Sequence, residues 1–463
     1  MAAGKGTRMR SPRPKVLHEL AGRALLHHVL ETAAALTPRC VVLVLGHGAT
    51  EIRAARADWT GAAAKLNIQT VLQDPPLGTG HAVQQAVPQL DDAGLVLVLS
   101  GDVPLIQPDT LRRLVACARQ PCLALLSVEL DDPSGYGRIV RQGDAVRAIV
   151  EHKDATDAQR ALREVYSGMM VAPTAWLKRW LAQLTPQNAQ GEYYLTDVVA
   201  HAVAEGAAVQ TVRCADPVQV QGINSMRELA QLERAFQLRQ AQALMDAGVQ
   251  LADPARLDVR GTLHCDAGVQ IDVGCIFEGM VELGQGVRVG AHCVVRNARI
   301  EAGAVIHPFT HIEGGAPHGK QSVRVGPGAL VGPFARLRPG ADLGPQVHIG
   351  NFVEVKNSSL AAGAKANHLA YLGDAQVGER VNYGAGSITA NYDGANKHRT
   401  VIEADVHVGS NCVLIAPVTL GAGGTVGGGS TITKSTPAGA LSVARARQVS
   451  IANWQRPRKA PKS

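Results

Sequence analysis

Between residues 325 and 355 an aliphatic side chain returns at every sixth position: Val325, Val331, Leu337, Leu343, Ile349 and Val355. The same register runs through Val408, Leu414, Leu420, Val426 and Ile432, with shorter tracts at Leu283/Val289/Val295 and Ile300/Ile306/Ile312. A period of six suits neither the helical stripe nor the two-residue alternation of an ordinary strand. It predicts a parallel β-helix, in which each flat face of a coil turns one aliphatic inward and small residues make the corners. Glycine follows the aliphatic at nine places, among them Gly326, Gly332, Gly344 and Gly350. A chain with 49 glycines and only 3% aromatics suits a core that excludes large side chains. The period slips at Gly314–Ser322 and at Asn391–Thr400, which predicts two loops leaving the coil, and loops carry sites. Flat β-helix faces also favour packing into a homotrimer, where one protomer's loop covers its neighbour's face.

The first half has a different rhythm. Apolar, β-rich runs at Val41–Leu45, Ile68–Leu72, Leu95–Leu99 and Leu123–Val128 alternate with helix-like segments. That alternation predicts an α/β unit with a parallel or mixed sheet covered on both faces. Ser225-Met226-Arg227-Glu228 is a capping box, and the amphipathic run behind it ends before Gly248. The expected organisation is therefore an α/β domain over 1–224, a linker helix over 225–248, a hexapeptide β-helix over 249–440 and a basic tail over 441–463.

The formal net charge is +7, and its location is informative. No Asp or Glu follows Asp405, whereas Lys434, Arg445, Arg447, Arg456, Arg458, Lys459 and Lys462 do. A basic end of this kind holds nucleic acid, an acidic membrane or a polyphosphate ligand, or is simply solvated. The eight cysteines are scattered, with no Cys-x-x-Cys pair, so reduced thiols in the cytoplasm are expected rather than a disulfide framework or a zinc site. Neither a signal peptide nor an apolar run of membrane-spanning length is present.

Three segments of the first half carry chemistry. Ala2-Ala3-Gly4-Lys5-Gly6-Thr7-Arg8 reads as a phosphate-binding loop, with Arg8 and Lys15 adding two cations. Such a loop normally hangs from a buried strand, so the chain as written is expected to lack its first strand, with a true start upstream of Met1. Gln73-Asp-Pro-Pro-Leu-Gly78-Thr79-Gly80 follows a strand and suits hydrogen bonding to a base edge. Leu95–Leu99 runs into Ser100-Gly101-Asp102, which places a carboxylate where open α/β sheets bind ligands and where Mg²⁺ finds an oxygen.

These segments, with Gly-Tyr-Gly137-Arg-Ile, Glu151-His-Lys-Asp-Ala-Thr and Asn-Ala-Gln-Gly-Glu-Tyr-Tyr-Leu-Thr-Asp197, resemble the sugar-nucleotide pyrophosphorylases. Joined to a hexapeptide half with Asn367-His-Leu-Ala-Tyr-Leu-Gly-Asp374 and Asn391-Tyr-Asp-Gly-Ala-Asn-Lys397, the whole chain resembles one bacterial family. Its members join an N-acetylglucosamine-1-phosphate uridyltransferase to a glucosamine-1-phosphate acetyltransferase. The resemblance implies a Rossmann-like nucleotidyltransferase sheet followed by a left-handed β-helix. It implies synthesis of UDP-N-acetylglucosamine for cell-wall polymers from glucosamine-1-phosphate, acetyl-CoA and UTP, with no nucleic-acid or membrane partner.

Matched residue by residue, the resemblance assigns Gly4, Arg8 and Lys15 to the nucleotide phosphates, and Ala2, Ala3 and Gly101 to the UTP/UDP-N-acetylglucosamine site. Gln73, Gly78 and Thr79 fall to the uracil side, and Gly137, Glu151 and Tyr166 to the sugar. Asp102 and Asn224 are implied Mg²⁺ ligands. In the second half His368 is the implied general base, with a histidine's pKa suited to taking a proton from an ammonium, and Glu354 is expected to orient or polarise it. Arg338, Lys356, Tyr371 and Asn382 are implied at the sugar phosphate, supported by Lys397. Ala385, Asn391, Tyr392, Ser410, Gly428 and Arg445 are implied at acetyl-CoA. Tyr166 stands where the family carries Asn, and a phenol cannot reproduce an amide's paired donor and acceptor.

Three other readings compete. His348, His368 and His398, supplied from two chains, are candidate zinc ligands of a trimeric hexapeptide enzyme. The β-helix is alternatively a trimerising scaffold without catalysis. Or the chain is an acetyltransferase whose first half is weakened by the absent strand.

Overall fold

The structure, a computed structural model, describes residues 1–459. The chain divides between Phe236 and Gln237 into two compact units.

The first unit holds β1 (Val41–Leu45), β2 (Ile68–Leu72), β3 (Leu95–Val98), β4 (Leu123–Glu129), β5 (Arg138–Gln142), β6 (Ala145–Val150), β7 (Glu164–Pro173) and β8 (Val209–Arg213). β1 and β2 form a parallel pair. The other six make a mixed sheet in the order β8-β4-β7-β5-β6, with β3 on the far end of β7. β7 runs antiparallel to β3, β4 and β5. It is buried from Val165 to Ala172 apart from a half-exposed Gly168, so it reads as a continuous apolar run rather than an alternation. Helices such as Thr174–Ala182 and Val198–Ala204 seat Trp180, Leu177 and Val198 against this sheet.

Met1 and Ala2 lie between the ends of β1 and β3. The Met1 amine donates to Leu99 O (2.7 Å), Ala2 N donates to Val44 O (2.8 Å) and Gly101 N donates to Met1 O (2.8 Å). Gly46 permits this approach, since a Cβ there would stand 2.6 Å from Ala3 O. Away from that point β1 and β3 share no ladder. A cavity of about 350 Å³ separates them, lined by Val42, Val44, Val96, Val98, Leu30 and Ala86 among others.

The second unit is a left-handed parallel β-helix. Its short strands stack into one 11-stranded and one 16-stranded ladder. Hexad residues pile directly on one another: Val325 on Leu343, Val331 on Ile349, Leu337 on Val355. All six are fully buried. The helix Met226–Asp246 opens at the capping box, where Ser225 Oγ accepts from Glu228 N and the Glu228 carboxylate accepts from Ser225 N. Its later part belongs to this unit. Gln237, buried, donates to Val259 O (2.9 Å) and accepts from Val259 N (2.8 Å), while Ala241 and Leu244 pack on the hydrophobic core. The last ladder contact, Leu441–Ser442 on Thr425–Val426, falls just inside the segment expected as tail. Among the remaining basic residues, Lys462 lies outside the described residues.

Candidate functional site

Each unit gathers its own set of residues. In the first, the glycine loop turns at Gly6 (φ 61°) into a single helical turn, Thr7–Met9, with Arg8 exposed on it. Lys15 follows and reaches inward. Its Nζ donates to the Asp102 carboxylate and to Asn224 Oδ1 (2.7 Å). Asp102 sits just past β3, and Ile223 N donates to Asp102 O (3.0 Å), which brings the Asn224 segment alongside. Two oxygen donors from distant parts of the chain thus converge on one cationic centre.

Gln73 directly follows β2 and is buried. Its Nε2 donates to Gly78 O (2.9 Å) and lies 3.2 Å from His81 Nδ1. Gly78 has φ 112°, and a Cβ there would meet Tyr193 O at 2.6 Å, so only glycine fits. Thr79 Oγ1 accepts from Leu195 N (3.0 Å). Gly137 borders Glu151: a Cβ on it would stand 2.8 Å from Ile149 and 3.6 Å from Glu151 Oε1. Thr196 Oγ1 donates to Glu151 Oε1 (3.1 Å), and burial pushes the Glu151 pKa above the usual carboxylate range. Tyr166 packs in the core beside this group, with N–H on Gly137 O (2.9 Å) and a buried phenol that has no hydrogen-bond partner among the described residues. Burial, and then Glu151, raise its pKa well above that of an ordinary tyrosine.

In the second unit Asn351 and His368 are register partners on adjacent coils. His368 Nδ1 lies 2.9 Å from Asn351 Oδ1. An amide oxygen only accepts, so Nδ1 is the donor here, and in the neutral imidazole Nε2 is then the nitrogen that holds the lone pair. Glu354, expected to orient or polarise His368, makes no hydrogen bond to it within this chain among the described residues. That carboxylate pairs instead with Arg338 (2.8 Å) and Arg336 (3.7 Å), holding the Arg338 guanidinium firmly charged. Asn351 is the residue that the sequence reading missed. Its signal was the coil offset, since it lies one coil below His368.

The same corner continues upward. Asn411 N donates to Ala385 O (2.7 Å), Gly429 N to Ser410 O (2.8 Å) and Arg445 Nη1 to Gly428 O (2.6 Å). His368, Ala385, Ser410 and Gly428 therefore climb one edge of the β-helix, a rise of about 14 Å at the ordinary interstrand spacing. Arg338, Lys356 and Tyr371 lie around the Phe352 corner with Glu354. Lys397, from the Asn391–Arg399 loop, stands against Lys356. It pushes the Lys356 pKa below the ordinary value, burial adds to this and Asp374 opposes it. Asn382 sits apart from this group, on the ladder of His348 and Lys365. Tyr392 is exposed on the loop, its hydroxyl on Gly394 O (2.6 Å).

Within one chain the three histidines of the zinc reading have other partners or none in common. His368 is held by Asn351 and His398 by Asp393 (2.6 Å), and among the described residues no group of three or more His, Cys, Asp or Glu converges. No helix among the described residues is long and apolar enough to cross a membrane.

Comparison with known proteins agrees with this division. The family described as MobA-like NTP transferase domain matches residues 1–205. The bifunctional protein GlmU of Albidiferax ferrireducens is 70% identical over 459 residues, covering 99% of each chain. That of Paracidovorax citrulli is 69% identical over 472 residues, covering 100% of this chain and 98% of its own. That of Methylibium petroleiphilum is 67% identical over 463 residues, covering 99% and 98%. A crystal structure of UDP-glucose pyrophosphorylase with UDP-glucose aligns with a TM-score of 0.42 at 16% identity, over 51% of this chain and 95% of that one.

Proposed function

Since this chain belongs to the family of the bifunctional protein GlmU, we propose that it makes UDP-N-acetylglucosamine in two steps, one on each unit. The β-helix acetylates glucosamine-1-phosphate. His368 Nε2 takes a proton from the sugar ammonium, and the freed nitrogen attacks the thioester carbonyl of acetyl-CoA. The C–N bond forms, the nitrogen sheds its second proton, the C–S bond breaks, and the coenzyme A sulfur leaves as a thiolate that takes up that proton, while His368 returns its own to solvent. Arg338 and Lys356, with Lys397 and Tyr371, hold the sugar phosphate by charge-assisted hydrogen bonds. Ala385, Asn391, Tyr392, Ser410, Gly428 and Arg445 line the path of the coenzyme, and the basic tail meets its phosphates. Asn382 lies outside this cluster and is assigned a flanking contact.

The α/β unit then joins the product to UTP. A phosphate oxygen of N-acetylglucosamine-1-phosphate attacks the α-phosphorus and pyrophosphate leaves, so positioning and charge neutralisation do the work without a side-chain nucleophile. Ala2, Ala3, Gly4, Arg8 and Lys15 cradle the phosphates. Gln73, Gly78, Thr79 and Gly101 hold the uridine side, and Gly137 and Glu151 hold the sugar, with Tyr166 forming an apolar wall in place of an amide contact. Asp102 and Asn224 fit Mg²⁺, because their oxygens already converge on the Lys15 ammonium, a stand-in for a cation. When bound there, Mg²⁺ supplies neutralisation of the triphosphate charge.

The observation that carries this reading is His368, fixed through Nδ1 by Asn351 at the foot of a column of matching residues. Acetyl-CoA-dependent thiol release and UTP-dependent pyrophosphate release, both assayed on the full chain, test it. Both activities are expected, and absence of either overturns the assignment of that unit.

We assign the protein to a homotrimer in a reducing cytoplasm. An exposed corner of stacked rings supports the trimer: Phe309 on Phe334 (5.0 Å) and Phe334 on Phe352 (5.4 Å), continued by Leu369. Eight free thiols support the compartment. Light scattering giving a monomer at micromolar concentration would refute the trimer.

A further inference from the structure

We propose that Asp374, a residue with no role in the reaction as assigned above, is the positioning residue that pins both ends of the 391–399 loop and so sets Lys397 against Lys356. The inference rests on the acetyltransferase reading of this unit.

Asp374 occupies a corner of the β-helix in the left-handed region (φ 49°), stacked above Asn357 (φ 44°). It is 8% exposed. Each carboxylate oxygen takes one amide: Asn357 Nδ2 donates to Oδ1 and Asn391 Nδ2 to Oδ2, both at 2.5 Å. The backbone joins in, with Thr400 N donating to Asp374 O (3.2 Å). Asn391 is where the chain leaves the coil and Thr400 is where it returns, so one residue of the coil beneath holds the departure by its side chain and the return by its carbonyl. Between these points the loop is tied to itself. His398 N donates to Asn391 O (2.8 Å), and Asp393 Oδ1 accepts from Ala395 N (2.8 Å) and Asn396 N (2.7 Å). A loop so stiffened moves as one body about its root, and Asp374 is the root's main fastening.

The corner itself does not demand a charge. Asn357 fills the equivalent place one coil down, and Gly340 precedes it. A buried carboxylate is costly unless its partners are fixed. Here its charge strengthens the two amide bonds and faces the lysine pair, opposing the repulsion between Lys356 and Lys397.

Tryptic cleavage at Lys397 and Arg399, both exposed, reads the loop directly on the full chain. Steady-state acetylation of glucosamine-1-phosphate reads its consequence. Asp374→Ala is expected to speed cleavage at these two sites about tenfold and to raise KM for the sugar phosphate about tenfold, with a smaller change in kcat and no change in uridylyl transfer. Asp374→Asn keeps both hydrogen bonds if the terminal amide of Asn357 turns over, so it is expected to stay within about threefold of the parent in both assays. Unchanged cleavage in Asp374→Ala, or a loss in Asp374→Asn as deep as in Asp374→Ala, would overturn the pin. Should Asp374→Ala fail to fold, Asn391→Ala releases only the loop side, and unchanged cleavage there would overturn it equally. A parent chain without acetyl transfer would sink the acetyltransferase reading, while the cleavage arm still decides whether Asp374 pins the loop.

Discussion

In the second unit Val331 lies on Ile349 and Leu337 on Val355, and such contacts recur coil after coil. In the first unit β1 and β3 face each other across an apolar cavity and belong to different ladders. The contrast extends to the sites. His368, Ala385, Ser410 and Gly428 follow one another up a single edge, so knowing one locates the rest by coil offset. Lys15, Asp102 and Asn224 meet from separate loops, and only the closure of the whole α/β unit brings them together. A repeat places a site by counting; a mixed sheet places it by packing.

The sharpest way to break the comparison is to inactivate each site alone. His368→Ala is expected to lower acetyl transfer by roughly 10²-fold or more, the usual contribution of a general base, and to leave uridylyl transfer intact. Asp102→Ala should do the reverse. Both rates are read on the same preparation, and loss of both in either variant would show that the sites are not independent.

How much of this the sequence disclosed follows the same contrast. The hexads from Val325 to Val355 announced their own burial, because a six-residue period has one structural meaning. The strands Val41–Leu45, Ile68–Leu72 and Leu123–Glu129 were visible as apolar runs. β7, buried along most of its length and antiparallel at the centre of the sheet, was not read, since a short apolar run does not disclose its direction or neighbours. His368 could be matched by motif, but its hydrogen-bond partner within the chain could not. Glu354 carried the more suggestive chemistry, and only the register shows that Asn351 lies beneath the imidazole while Glu354 faces Arg338. Asp374 was likewise invisible, because its importance comes from a loop whose two ends are nine residues apart in sequence and adjacent in space.

A gentler test asks whether the first unit is under-tied. Adding a six-residue apolar strand ahead of Met1 is expected to fill the cavity and join β1 to β3. Each fully buried aliphatic contributes about 1.5–3 kcal/mol, so even two should raise the melting temperature of this unit by about 5 °C or more. The second unit should melt unchanged. Scanning calorimetry of the two chains decides it, and identical melting would mean that the separate ladders need no connection. For contrast, Leu343→Ala in the β-helix core should cost about 2–5 kcal/mol, and that loss should appear only in the second transition.

The smallest expected effect concerns Glu151. Burial is the main cause of its raised pKa, with Asp197, Asp154 and Glu192 adding to it and the Thr196 hydrogen bond opposing. Its sign is fixed by linkage. Between the ordinary carboxylate pKa and the raised one, the folded chain binds the proton that the unfolded chain has released. Stability of the first unit therefore falls as pH rises through that window, and above it the full cost remains. Glu151→Gln removes the titration but keeps an oxygen for Thr196. The variant should melt slightly higher than the parent near neutral pH, and the difference should vanish as the pH drops below the ordinary carboxylate range. Uridylyl transfer should nonetheless suffer, with KM for N-acetylglucosamine-1-phosphate rising about tenfold as a charged acceptor is lost, while acetyl transfer stays constant. Melting measured across that pH range, beside both rates, separates the two consequences. If Glu151→Gln melts lower than the parent at neutral pH, the carboxylate is held by a partner rather than strained by burial, and Glu151 would then belong to the scaffold rather than to the sugar.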